Sequence, residues 1–191
     1  DMRRNMPETH KIFMAYQQRL RQANAMDFDD LLTETYRLLK ENEEIRQKYA
    51  NRFQYVLVDE YQDTNYAQQM IVELLTKDNP HVCVVGDDYQ SIYAFRGANI
   101  SNILKFNKVY PTAKLFKLER NYRSTKNIVS AANSLMKHNR SQIDKDVYSE
   151  NADGDKVTVY ETISDKREAS IVCREIKRLI KEEHLKYSDI A

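Results

Sequence analysis

The chain has 191 residues, of which 41% are hydrophobic and 31% charged, with a net charge of only +1, as is typical of a soluble globular protein with a hydrophobic core. No apolar run approaches the roughly eighteen residues of a membrane-spanning helix, and the start lacks the hydrophobic segment of a signal peptide, so we expect a cytoplasmic chain with no membrane partner. Cys83 and Cys173 lie far apart without metal-ligand spacing, which favours a reduced chain.

The positive charge is concentrated in one part of the chain. Residues 113–145 carry eight basic side chains against only Glu119 and Asp144: Lys114, Lys117, Arg120, Arg123, Lys126, Lys137, Arg140 and Lys145. Such an excess can attract phosphate groups. A solvated helix face explains the same pattern equally well.

Glycine is scarce, and this excludes one class of nucleotide site within the chain. A P-loop needs two glycines five positions apart followed by Lys and Ser or Thr, because its backbone curls tightly around phosphate groups. The three glycines, Gly86, Gly97 and Gly154, do not have that spacing.

In chain order, the first fifty residues predict helices. In the segment MDFDDLL, Asp27 is a candidate N-cap and Asp30 lies in the first turn, where the helix dipole favours an acid. Apolar residues then recur at helical spacing up to Leu39. Further helices are predicted over residues 65–77, 99–110, 124–139 and 164–184.

Four short segments that are predicted to be strands alternate with these helices. QYVLV (54–58) predicts a strand covered on both faces, and HVCVV (81–85), KLFKL (114–118) and KVTVYE (156–161) predict three more. Strands that alternate with helices indicate an α/β fold with a parallel sheet.

The first predicted strand ends on acids, in the motif VDEYQDTN. Ligands of α/β sheets bind at the carboxyl ends of the strands, where Asp59 and Glu60 lie. One acid there suits a nucleotide-bound Mg²⁺, and a second can orient or deprotonate a water molecule. The alternative is that Asp59 merely caps the next loop.

The second strand runs into GDDYQSIYAFRGAN (86–99), which places Tyr89, Tyr93 and Phe95 within seven residues, close to Gln90 and Arg96. Aromatic side chains so close together on a loop cannot all face a core. Clustered aromatics with an Arg are typical of surfaces that stack single-stranded bases and contact phosphate. A small hydrophobic cluster beneath the loop is the alternative.

The third motif, LERNYRST (118–125), places Tyr122 between Arg120 and Arg123 just before a predicted helix. A helix N-terminus with an Arg suits an anion, and a Tyr can stack on a planar base. Taken alone, the motif also fits an ordinary pair of surface arginines.

VDEYQDTN, GDDYQSIYAFRGAN and LERNYRST, in this order and spacing, closely resemble motifs II, III and IV of superfamily 1 DNA helicases of the UvrD/PcrA/Rep type. MDFDDLL resembles the return of that family's chain from an inserted helical subdomain. The resemblance covers nearly the whole chain and implies an incomplete, RecA-like, parallel-sheet α/β fold. Residues 1–118 would form the back of the first RecA-like domain, and residues 119–191 the front of the second.

The resemblance also implies roles for individual residues, with ATP and Mg²⁺ as cofactors. Asp59 would hold Mg²⁺, Glu60 would act as the base that activates water, and Gln90 and Arg123 would contact the γ-phosphate. Tyr122 would stack on adenine, while Tyr93, Phe95 and Arg96 would contact DNA. The family commonly has Trp in place of Phe95, and Tyr89 departs from the usual pattern and receives no role.

The implied parent is a DNA-stimulated ATPase that translocates 3′ to 5′ on single-stranded DNA and unwinds duplex DNA. Because the chain lacks a P-loop, we expect it to be a central fragment that is inactive by itself. Two alternatives remain open: a helicase subunit of a helicase-nuclease complex, and a DNA-binding module that no longer hydrolyses ATP. Intact Asp59, Glu60, Gln90 and Arg123 argue against the second alternative.

Overall fold

The computed structural model describes residues 7–79 and 81–190, which fall into two compact units. The first unit takes the described part of residues 1–118 together with Met136–Asp146. The second takes Glu119–Leu135 and the described part of residues 147–191. Within the described ranges, no helix has the length and apolar character that crossing a membrane requires.

The first unit begins with the helices α1 (Pro7–Gln22), α2 (Phe28–Glu41) and α3 (Glu43–Arg52). The predicted N-cap of α2 is confirmed, since Asp27 Oδ1 accepts a hydrogen bond from the backbone N–H of Asp30 at 2.8 Å. The Asp30 side chain in turn accepts from Asp27 N–H at 3.3 Å, which completes a reciprocal cap. Because Tyr16 OH donates to Asp27 Oδ2 at 2.9 Å, the same residue also ties α1 to α2.

Two parallel strands form the sheet of this unit, β1 (Val56–Val58) and β2 (Val82–Val84), with Val56 opposite Val82. The crossover between them contains α4 (Tyr66–Thr76), whose first turn is held by a reciprocal cap between Asn65 and Gln68. Helices α2, α3 and α4 pack against one another. The mixed α/β class with a parallel sheet is therefore confirmed.

Helix α3 is tied to the end of α4 by a buried guanidinium group. Arg46 donates to the carboxylate of Asp78 at 3.1 Å and to the carbonyl oxygen of Leu74 at 3.4 Å, and it also pairs with Glu43. A buried charge is tolerated only when it is paired and hydrogen-bonded, and Arg46 meets both conditions.

The prediction that β1 is covered on both faces is wrong. Val56 and Val58 are half-buried, whereas Leu57 between them is 76% exposed. Cys83, its partner in β2, is also exposed. Successive residues of a strand point to opposite faces, so one face of this sheet is open.

The strands predicted at 114–118 and 156–161 are not formed. Both segments lack strand pairing within the described residues, and Phe116, Leu118 and Val159 are largely exposed. A strand exists only where its backbone groups pair with a neighbour, and β-propensity alone supplies no such partner. One isolated parallel bridge, between Arg120 and Tyr148, is formed in the second unit instead.

The remaining predicted helices are formed with shifted boundaries. Residues 99–110 give two single-turn helices, α5 (Ser101–Leu104) and α6 (Phe106–Val109), because the chain leaves helical geometry at Lys105. The long helices α7 (Lys126–Met136) and α8 (Asp165–Glu182) follow. Ser164 caps α8 by accepting from Arg167 N–H at 3.3 Å.

Candidate functional site

The carboxyl ends of β1 and β2 lie side by side, because the two strands are parallel neighbours. Pairing continues past both strands: Val85 N–H donates to Val58 O at 2.8 Å, and Tyr61 N–H donates to Val85 O at 3.0 Å. Asp59 and Glu60 follow β1 at this edge, and both are exposed. Two carboxylates thus stand in solvent where parallel sheets bind ligands.

Glu60 turns the chain sharply as it leaves the sheet. Its backbone is left-handed, with φ 49° and ψ 41°, a conformation that costs a non-glycine residue about 1–3 kcal/mol. The Asp59 carboxylate stabilises the turn by accepting from Glu60 N–H at 2.8 Å. The chain then enters a short 3-10 helix, Tyr61–Asp63. Stored strain of this kind concentrates at functional sites.

Gln62 connects the turn after β1 to the turn after β2. Its side chain is fully buried, with 0% exposure. Its amide nitrogen donates to Glu60 Oε2 at 2.6 Å, and its amide oxygen accepts from Asp87 N–H at 3.0 Å. Gly86 leaves room for this amide, since a Cβ there would come within 2.6 Å of Gln62 Oε1.

The carboxylate of Asp87 accepts hydrogen bonds from three donors. Its Oδ2 accepts from the Gln90 side-chain amide at 2.9 Å, while its Oδ1 accepts from Lys145 Nζ at 2.6 Å and from Tyr89 N–H at 3.1 Å. Hydrogen bonds therefore link Glu60 to Gln62 and Gln62 to the backbone N–H of Asp87, and the Asp87 carboxylate in turn holds Gln90.

Lys145 also pairs with Asp88, at 2.6 Å. Burial alone would raise the pKa of Asp87, but the hydrogen bonds from Lys145, Gln90 and Tyr89 N–H outweigh burial and lower it. Burial likewise would lower the pKa of Lys145, but its two carboxylate partners hold it above its usual range. Asp87 and Lys145 are therefore both charged at neutral pH.

Tyr89, to which the sequence gives no role, packs against this ion pair. Lys145 Nζ lies 3.9 Å from the centroid of the Tyr89 ring, and Tyr89 OH donates to the carbonyl oxygen of Lys145 at 3.3 Å. The ring thus covers the Lys145 ammonium group and adds a cation-π contact.

The edge of the sheet fits part of a nucleotide site. Among the described residues no group of three or more His, Cys, Asp and Glu side chains could hold a metal ion. Mg²⁺ is ordinarily bound by one or two carboxylates together with water and substrate phosphates, a requirement that exposed Asp59 and Glu60 satisfy. The residues therefore fit the metal-and-water half of such a site, while the sequence supplies no glycine-rich phosphate cradle.

The aromatic loop is the segment that carries Tyr93, Phe95 and Arg96. It contains a short 3-10 helix, Ala94–Arg96, which ends at Gly97, where φ is 87°. Tyr93 is 39% exposed and Phe95 78%, and their ring centroids are 6.0 Å apart. The Arg96 guanidinium carbon lies 5.5 Å from the Tyr93 centroid and 5.6 Å from that of Phe95. Two exposed rings and a cation thus form one surface, and the alternative of a buried cluster does not fit these exposures.

The base of the aromatic loop is anchored to the turn after β1. The buried amide of Asn102 donates to the carbonyl oxygen of Thr64 at 3.1 Å and to its hydroxyl at 3.0 Å, and Asn99 N–H donates to the same carbonyl at 3.0 Å. The acidic motif and the aromatic motif are therefore joined by direct hydrogen bonds.

In the second unit, Tyr122 and Arg123 are both exposed just before α7. Asn121 shapes this turn, since its side-chain oxygen accepts from Arg123 N–H at 2.9 Å and from Ser124 N–H at 2.8 Å. The Arg120 guanidinium carbon lies 4.8 Å from the Tyr122 ring centroid, and the same group pairs with Glu150.

The structure brings Asp59, Glu60 and Gln90 together at one edge of the first unit and places Tyr122 and Arg123 in the second. The sequence does not identify Gln62 as a link between the two turns, because a polar residue that stands among acids gives no sign of being buried. The sequence also groups Lys145 with residues that could attract phosphate. Lys145 is instead engaged with two carboxylates 57 and 58 positions earlier.

Comparison with known proteins agrees with the motifs. Residues 2–111 match the family model of the UvrD/REP helicase N-terminal domain, and residues 116–191 match that of the UvrD-like helicase C-terminal domain. A protein of Staphylococcus epidermidis named ATP-dependent DNA helicase PcrA is 46% identical over 180 residues, which cover 94% of this chain and 25% of the relative. Proteins of the same name from Leuconostoc citreum and Staphylococcus aureus are 43% and 45% identical, over 95% and 94% of this chain and 24% of each relative.

The chain therefore spans about a quarter of the length of these relatives. Matches to both family models, at residues 2–111 and 116–191, leave little of the chain outside the family pattern. The resemblance inferred from the three motifs is confirmed. This chain belongs to the UvrD/Rep family of helicases.

Proposed function

We propose that this chain is the central part of an ATP-dependent DNA helicase, with residues 1–118 in the first RecA-like domain and residues 119–191 in the second. The observation that carries the proposal is the hydrogen-bond series from Glu60 through Gln62 and Asp87 to Gln90. It fixes an exposed acid relative to an exposed amide at the ligand-binding edge of a parallel sheet.

Asp59 and Glu60 have distinct proposed roles in hydrolysis. When bound, Mg-ATP supplies the γ-phosphoryl group and the metal charge. Asp59 would hold the metal. Glu60 orients the attacking water and accepts its proton, and the hydrogen bond from Gln62 keeps the Glu60 carboxylate in place.

Gln90, Arg123 and Tyr122 are proposed to contact the nucleotide. The Gln90 amide has two N–H groups, and because one is held by Asp87 the other is available to the γ-phosphate. Arg123 brings a positive charge to the same phosphate from the second RecA-like domain. Tyr122 stacks on adenine, with Arg120 against its ring.

The aromatic loop is proposed to be the contact with DNA. Tyr93 and Phe95 stack on bases of the single strand, and Arg96 contacts phosphate. ATP turnover would drive 3′ to 5′ translocation along single-stranded DNA and the unwinding of duplex DNA. The hydrogen bonds from Asn102 to Thr64 support a connection between this loop and the acidic turn.

The substitution Glu60→Gln tests the proposal in the full-length protein. It removes the base and keeps the shape, so turnover of ATP on single-stranded DNA should fall at least about a hundredfold, the usual scale of general-base loss. ATP affinity should persist, because Asp59 is unchanged. Glu44→Gln, at an exposed position of α3, serves as the matched control and should have no effect.

Turnover by Glu60→Gln within a few-fold of wild type would contradict the assignment. A wild-type protein that binds ATP and DNA without any turnover would instead favour the non-hydrolysing module. A helicase-nuclease subunit would be revealed by DNA cleavage in the same preparation.

A further inference from the structure

Lys145 is the point at which residues 136–146 are fixed to the first unit. Its side chain is only 14% exposed, and its Nζ lies 2.6 Å from Asp87 Oδ1 and 2.6 Å from Asp88 Oδ1. Nearby, the backbone N–H of Ile143 donates to Asp88 Oδ2 at 2.7 Å. Residues 137–146, which form neither helix nor strand, thus place one largely buried ammonium group between two acids.

The two carboxylates that pair with Lys145 contact different parts of the first unit. The Asp88 carboxylate accepts from Lys145 and from Ile143 N–H, and these contacts hold residues 136–146. The Asp87 carboxylate accepts from Lys145 with one oxygen and from the Gln90 amide with the other. Only the Asp87 branch therefore reaches a residue with a proposed role in turnover.

A carboxylate held at one oxygen can still rotate, and its direction decides what the other oxygen can accept. Lys145 and Tyr89 N–H together fix Asp87 Oδ1, which leaves Oδ2 for Gln90. Lys145 also offsets two negative charges near the edge where an anionic triphosphate is proposed to bind. Without Lys145, Asp87 Oδ1 would keep only the hydrogen bond from Tyr89 N–H, and the carboxylate could turn away from Gln90.

We propose that Lys145 is a positioning residue for ATP turnover, and that it acts through Asp87 to hold the side-chain amide of Gln90. The inference rests on the role proposed above for Gln90. The rival explanation is purely structural, with Lys145 serving only to fix residues 136–146. If Lys145 positions Gln90, ATP turnover depends on Asp87 much more than on Asp88. If Lys145 is purely structural, turnover depends on the two acids equally.

The experiment compares Asp87→Asn with Asp88→Asn in the full-length protein. Each variant removes one of the two charges that Lys145 pairs with and keeps the size of the side chain. For Asp87→Asn we expect kcat of the DNA-stimulated ATPase to fall on the order of tenfold or more with little change in KM, because a misplaced catalytic group slows the chemical step. Asp88→Asn should keep kcat within about threefold of wild type and lower Tm at least as much as Asp87→Asn, because the Asp88 side chain is the more buried.

A double-mutant cycle with Gln90→Ala then identifies the route of the effect. If Asp87 and Lys145 act through Gln90, then Asp87→Asn and Lys145→Met should each slow the wild type but should not slow Gln90→Ala further. Lys108→Met, at an exposed site of the same unit, is the matched control and should change neither kcat nor Tm.

Three results would overturn the inference. Equal kcat losses for Asp87→Asn and Asp88→Asn would support the structural explanation, and so would losses that add to that of Gln90→Ala. Wild-type turnover by Gln90→Ala would remove the proposed role of Gln90 itself, and the inference with it. If Lys145→Met does not fold, the comparison of Asp87→Asn with Asp88→Asn still decides between the two explanations.

Discussion

The side-chain amide of Gln62 donates to Glu60 Oε2 at 2.6 Å and, through its oxygen, accepts from the backbone N–H of Asp87 at 3.0 Å. One fully buried side chain thus joins the turns that follow two neighbouring strands. The exposed Glu60 carboxylate gains a fixed partner from it. Any change at Gln62 should therefore alter both stability and the direction of Glu60.

Gln62→Ala should destabilise the protein and slow ATP turnover. The substitution leaves the partly buried N–H of Asp87 without its partner, which costs about 1–3 kcal/mol. Chemical denaturation of the 191-residue chain measures the first effect, and kcat of the full-length protein measures the second. Gln47→Ala, at an exposed glutamine of α3, is the control and should change stability by about 0.5 kcal/mol or less. Equal stability of the two variants would show that the buried bridge is not formed.

Tyr93→Ala and Phe95→Ala should each weaken binding of single-stranded DNA by about 1–3 kcal/mol, the usual scale of stacking between a base and an aromatic ring. The loss should be nearly the same for different base sequences, because every base has a flat face to stack. Fluorescence titration of the full-length protein at fixed salt measures it. Tyr187→Ala, an exposed aromatic outside the three motifs, is the control. Wild-type affinity in both loop variants would leave the rings with no role in DNA binding.

The features that the sequence predicts correctly are those that neighbouring residues determine. The cap of α2 by Asp27 needs only Asp30, three residues later, and the acids after β1 follow directly from the end of an apolar run. The family motifs are equally local, since each lies within fourteen consecutive residues or fewer.

The features that the sequence does not predict depend on residues far apart in the chain. Phe116 and Val159 lie in segments that are predicted to be strands, yet neither segment has a strand partner among the described residues. Lys145 reaches its carboxylates across more than fifty positions, and no local pattern distinguishes it from the other basic residues of its segment. Burial and long-range pairing are therefore what the structure adds.

The ion pair of Lys145 with Asp87 should make stability depend on pH. The pKa of Asp87 is lowered in the folded protein, so its contribution is present above the unfolded pKa and is lost as pH falls through the folded pKa. The pKa of Lys145 is raised, so its contribution is present below the unfolded pKa and is lost as pH rises through the folded pKa.

Lys145→Met should accordingly cost about 1–3 kcal/mol near neutral pH, less than breaking a fully buried pair by removing one partner, because the Asp87 side chain is 38% exposed and water screens its charge. The difference from wild type should stay constant between about pH 5 and pH 9 and shrink below about pH 4, where carboxylates begin to gain protons. Urea denaturation of both proteins across this range measures it. Lys108→Met should match wild type throughout. A difference that grew as the pH fell would contradict the predicted sign.

The 191-residue chain should bind Mg-ATP too weakly to detect at micromolar concentrations and should not hydrolyse it. Its three glycines form no P-loop, so both the backbone cradle and the lysine that contacts the β- and γ-phosphates are missing from its sequence. Asp59 and Glu60 alone offer Mg²⁺ a weak site, because this ion is normally shared with substrate phosphates. Calorimetry with Mg-ATP and a phosphate-release assay on the folded chain measure both properties, with the full-length protein as the positive control. Micromolar binding or repeated turnover by the chain would reveal a phosphate site among its own residues, and the assignment of Asp59 and Glu60 to half of a shared site would then be wrong.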